Sequence, residues 1–97
     1  MDNQAIDKII KAFKNNKEIL SIYVGNQNIM GNSISDSVLN QVLSAIELFR
    51  NYLGPEYITF SINDYTIICF KYMAKDVIIF GVKNIKEPIV RSSIKSL

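Results

Sequence analysis

Few side chains here could do chemistry. Histidine is absent and Cys69 is the single cysteine. A catalytic thiolate needs a cationic neighbour and access to solvent. Cys69 stands between Ile68 and Phe70 in an apolar run, so it reads as a small core residue. Arg50 could in principle reach a transferring phosphate as an arginine finger. A partner contact, or stacking of its stem over an apolar neighbour, is the commoner use of such a side chain. Asp36, Asp64 and Asp76 fall at turns and element starts, where carboxylates cap and form turns. Their spacing gives no convergent set for a divalent cation.

Without histidine there is no imidazole general base, no Ser-His-Asp or Cys-His pair and no Cys/His zinc cluster. Neither a Gly-x-x-x-x-Gly-Lys-Ser/Thr loop nor a Gly-x-Gly-x-x-Gly turn occurs. The expectation is a protein that is not an enzyme, with no catalytic residue, no cofactor and no metal. Function must then come from surfaces.

The length of 97 residues suits a single domain, 1–97. Hydrophobic residues make up 48% against 21% charged, which excludes a disordered chain. One cysteine cannot close an internal disulfide, so nothing points to an oxidising compartment. No apolar run approaches the ~20 residues that span a bilayer. Met1-Asp2-Asn3-Gln4 lacks the layout of a signal peptide. A cytoplasmic location without direct membrane insertion is expected.

Ile6, Ile9, Ile10 and Phe13 share one helical stripe with lysines outside it, which predicts a helix over about residues 3–15. Glu18 to Val24 is β-branched and aromatic and reads as a strand. Gly25-Asn26-Gln27-Asn28 is turn chemistry, and Ile29 to Ile34 a weaker edge strand. Ser35 or Asp36 can cap a long helix that stops at Gly54-Pro55. Tyr57–Ile62, Tyr65–Met73 and Asp76–Lys83 read as three strands with tight turns between them. Pro88 suits the first turn of a last helix. The fold class is α+β, in the order α-β-β-α-β-β-β-α. The last two strands have lost alternation, which implies cover on both faces of a five-stranded antiparallel-type sheet.

The long helix is more apolar than a sheet-covering helix needs to be. With Val38 at 0° and 100° per residue, Val38, Val42, Ala45, Ile46, Phe49 and Leu53 occupy about −20° to +80°. Leu39 and Leu43 lie near +100° and +140°, Arg50 near +120°, and Leu48 and Tyr52 near −80° and −40°. The arc of about 220° is roughly twice the usual stripe. Asn40, Gln41, Ser44, Glu47 and Asn51 are the helix's other polar side chains from Val38 onward, with one charge among them. A helix of this kind can sit deep in its own fold or meet a partner. If Tyr57–Ile62 is an outer strand, it has no lysine or internal proline to block pairing.

Charge is uneven. Residues 1–17 and 83–97 carry eight basic side chains against three acidic, a net +5, while 18–82 carry three against six, a net −3. If the terminal helices share a face, that face is basic. Tyrosines and phenylalanines are not interleaved with the basic residues, so no nucleic-acid partner is expected.

The element order resembles the Roadblock (dynein light chain) domain over nearly the whole chain. The matching pieces are the hairpin Glu18–Ile34 with Gly25, the long helix from Asp36, Leu53-Gly54-Pro55-Glu56 before the third strand, and the apolar fourth and fifth strands. Glu87-Pro88-Ile89-Val90-Arg91 departs from the family, which often has glycine at the start of the last helix. The resemblance implies a homodimer, or a heterodimer with a paralogous Roadblock subunit. Third strands pair and central helices pack side by side, making a platform for a Ras-like small GTPase. On this chain it puts the dimer contact on Leu39, Leu43, Glu47 and Arg50 of the helix and Tyr57, Ile58, Thr59, Phe60, Ser61 and Ile62 of the strand. Asn40, Ser44 and Asn51 would face the GTPase. A monomeric ligand-sensing or interaction module, similar to longin or PAS domains, is the alternative.

Overall fold

The computed structural model describes residues 1–54 and 56–97; Pro55, expected to help stop the long helix, lies outside them. Among the described residues the chain forms three helices and five strands: α1 (Asn3–Phe13), β1 (Ile19–Val24), β2 (Gln27–Gly31), α2 (Asp36–Leu53), β3 (Tyr57–Ile62), β4 (Tyr65–Tyr72), β5 (Lys75–Val82) and α3 (Glu87–Lys95). This is the α+β order expected from the sequence.

The strands form one sheet in the order β2-β1-β5-β4-β3, and every neighbouring pair is antiparallel. β2 is an edge strand, as its glycine and asparagines suggest. It begins earlier than expected, at Gln27, because the β1–β2 turn needs only Gly25 and Asn26. β3 is the other edge.

The apolar runs of β4 and β5 divide by alternation. Ile68, Phe70, Val77 and Ile79 join Ile9, Phe13 and Val90 in a core under α1 and α3. Ile67, Cys69, Ile78 and Phe80 join Leu39, Val42 and Ile46 in a core under α2. A helix layer on each face is what lets both strands be apolar on both sides.

Local chemistry sets the ends of the elements. Asp2 caps α1 by accepting from the Ala5 N–H at 2.9 Å. Of the two candidate caps for α2, Ser35 holds the place, accepting from the Val38 N–H at 3.4 Å. Gly54 ends α2 in the left-handed region at φ 67°, and its N–H donates to the Arg50 carbonyl. The Tyr23 hydroxyl, buried beneath the start of α2, accepts from the Ile34 N–H at 2.8 Å. No helix among the described residues is long and apolar enough to cross a membrane.

Candidate functional site

The edge strand β3 is the centre of the candidate site. Ile58, Phe60 and Ile62 belong to the core beneath α2, and Tyr57 packs against the core on the opposite face. Thr59 and Ser61 are exposed. Every second residue of an edge strand turns its N–H and C=O outward with no strand to receive them. An open groove of about 340 Å³ follows this edge, lined by Phe49 and Leu53 of α2, Tyr57, Ile58 and Thr59 of β3, and Arg91 of α3.

The floor of the groove is fixed by three side chains. The Tyr57 hydroxyl donates to Glu87 Oε1 at 2.9 Å. Arg91 Nε donates to the same oxygen at 2.9 Å. The Arg91 guanidinium lies 4.2 Å from the centre of the Tyr57 ring, a cation–π contact. Burial, with the Glu87 hydrogen bond behind it, pushes the Tyr57 pKa up to about 12. The bonds from Arg91 and Tyr57 hold the Glu87 carboxyl below its ordinary value. Together they tie the start of β3 to α3 and leave the outer side of the strand open.

The roof is the C-terminal half of α2. The Phe49 ring meets the Phe60 ring at 5.5 Å, which identifies the flank of the helix that borders β3. Tyr52 and Leu48 lie farther round on that flank, at about −40° and −80°. They are 80% and 55% exposed, and Leu53, in the groove wall, is 74% exposed. Large apolar side chains are thus displayed beside an open strand.

Of the helix residues expected at a dimer contact, Leu39 belongs to the protomer's own core at 8% exposure and leaves the candidate surface. Leu43 packs half-buried against the same core. Arg50 forms an ion pair with Asp76 at the start of β5, and its Nη2 donates to Cys69 Sγ at 3.7 Å. Asp76 also pairs with Lys71 at 3.4 Å. This flank therefore leans toward β5, in the middle of the sheet, and Glu47 lies exposed beyond it. The excess apolar arc extends in both directions from the buried stripe, and only the Leu48–Tyr52 direction adjoins the edge. Asn40, Ser44 and Asn51 are exposed together on the outer face of α2.

The residues considered for chemistry take structural places. Cys69 is buried, and burial foremost, then the Asp76 charge, pushes its pKa up to about 11, so it is a thiol at neutral pH. The Arg50 guanidinium is engaged with Asp76 instead of being held out from the surface. Asp36 sits in the first turn of α2 and Asp64 in the β3–β4 turn. Among the described residues no three His, Cys, Asp or Glu side chains converge as a metal site would require.

No protein-family model matches the chain, and no curated protein matches it.

Proposed function

We propose that this protein is a non-catalytic dimeric scaffold of the Roadblock type, working in the cytoplasm, on which a Ras-like small GTPase is bound and its hydrolysis modulated. The observation that carries the reading is the open β3 edge with Leu48, Tyr52 and Leu53 exposed beside it. Strand pairing would satisfy the outward backbone groups, and the apolar flank of α2 would be covered in the same step. The family resemblance requires a third strand free to pair, and supplies both the mate (a second copy or a paralogue) and the GTPase. The polar outer face of α2, with Asn40, Ser44 and Asn51, is the place offered for that GTPase.

The pairing geometry is constrained. If both α2 helices lie on one face of the joined sheet, opposed residues on the two β3 strands must point to the same face. Around a twofold axis, one residue then meets its own copy. An axis at Thr59 sets Tyr57 opposite Ser61 and Ile58 opposite Phe60. Directly opposed Cα atoms are about 4.5–5.5 Å apart, within disulfide reach of roughly 4.4–6.8 Å.

Thr59→Cys is therefore expected to cross-link to its own copy under mild oxidation, while Asn40→Cys, on the outer face of α2, forms no disulfide-linked dimer. The covalent dimer should be retained by an immobilised GTP-loaded Ras-like GTPase more strongly than a monomeric variant. Cross-linking through Asn40→Cys and not Thr59→Cys, or equal GTPase retention of monomer and dimer, would refute the reading.

A further inference from the structure

We infer that the joint face of α1 and α3 docks onto an anionic phospholipid bilayer surface. This inference stands apart from the proposed pairing through β3. The two chain ends carry the positive surplus, a net +5 over residues 1–17 and 83–97 against −3 over the rest. The fold brings them together, because α1 and α3 pack over the same face of the sheet and share its core. α2, with Asp36 and Glu47, covers the opposite face. The α1/α3 side is therefore the more basic of the two.

Four of these basic side chains converge on two adjoining grooves, while Lys83 lies beside Val38 of α2 and Arg91 beside β3. Lys8 and Lys11 line a shallow groove between α1 and the end of α3. Lys17, Lys86 and Ile89 line the adjoining groove, and Ala12 belongs to both. All four lysines are exposed, as are Lys14 and Lys95 nearby in the chain. Of the acidic groups of this side, Asp7 of α1 is exposed beside Lys8 and offsets part of the charge, while the other three carboxylates make contacts of their own. Asp2 caps α1, Glu87 holds Arg91 and Tyr57, and Glu18 Oε1 accepts from the Lys86 N–H at 3.1 Å.

The partner's chemistry follows from what stands among the lysines. Ile89 is 53% exposed in the basic groove. An aliphatic side chain gains little against a phosphodiester backbone, but it can be buried at the boundary of headgroups and acyl chains. Nucleic acid would instead favour aromatic rings on which bases stack. Here Phe13 and Phe70 are buried and Tyr57 lies under Arg91. A lipid surface attracts each nearby lysine, worth about fivefold in affinity per residue.

The test is co-sedimentation of the full chain with vesicles of phosphatidylcholine alone and of phosphatidylcholine with roughly 30% phosphatidylserine, at ~0.1 M salt. Binding is expected to the anionic vesicles and not the neutral ones, and it should be lost near ~0.5 M salt as screening shortens. The exposed pair Lys8→Glu/Lys11→Glu should weaken it by about 25-fold or more. Ile89→Ser should weaken it several-fold without changing its salt dependence. Equal binding to both vesicles, indifference to the lysine reversals, or preferential binding of duplex RNA or polyglutamate over the anionic vesicles would overturn the inference.

Discussion

Gly31→Ala is expected to lower stability by about 3 kcal/mol, a fall in Tm of roughly 10–20 °C. Gly31 ends β2 at φ +80°, where an L side chain is strained by roughly 1–2 kcal/mol. The larger effect is the close approach of β1. A Cβ at position 31 would overlap the Leu20 carbonyl oxygen and come within 2.9 Å of Ser21 Cα. That carbonyl also accepts from the Asn32 N–H at 3.3 Å, and the Ser21 hydroxyl donates to the Asn32 carbonyl. Backbone cannot step aside as a flexible side chain would, so the β1–β2 ladder must open. Gly54→Ala is the control. Its φ is similar at +67°, but nothing lies within 4 Å of the added Cβ. It should cost only about 1 kcal/mol. Thermal melts of the two variants beside wild type check the contrast, and equal losses would refute the backbone-overlap argument.

Leu48→Glu/Leu53→Glu is expected to give a folded monomer. Both side chains are largely exposed in the protomer, at 55% and 74%, so charge there should leave the melting temperature nearly unchanged. In a β3-paired dimer the same two residues would be buried beside the partner's helix. Burying one leucine contributes about 1.5–3 kcal/mol, and two carboxylates set there would face those of the second copy. A loss of about 4 kcal/mol is roughly a thousandfold in the dimer constant. Leu43→Glu, on the flank that leans toward β5, should chiefly destabilise the protomer. Sizing-column mass with thermal melts separates the outcomes. A double variant that stays dimeric would remove this flank of α2 from the interface.

The sequence carried the fold further than it carried the surface. Loss of alternation in Ile67–Phe70 and Val77–Phe80 required two helix layers, and those residues split between the two cores. The wide apolar arc of α2 was equally visible, but its meaning depended on what lay under each flank. Leu43 and Leu48 look alike on a helical wheel. Only the position of β3 at the sheet edge, with Phe49 against Phe60, makes Leu48 the outward one. Arg50 was ambiguous for the same reason, since its partner Asp76 is 26 residues away in sequence. The Tyr57–Glu87–Arg91 clamp left no local signal either, because it joins the start of β3 to a helix two strands later. The convergence of Lys8 and Lys11 with Lys86 needed α1 and α3 on one face, which composition alone states only as a condition.

The central claim is that the chain is a dimer through β3, and molar mass in solution addresses it most directly. Light scattering behind a sizing column, with wild-type protein at low micromolar concentration, is predicted to give about 22 kDa, twice the 11.0 kDa of one chain. A single species at 11.0 kDa under those conditions would contradict self-pairing through the open edge.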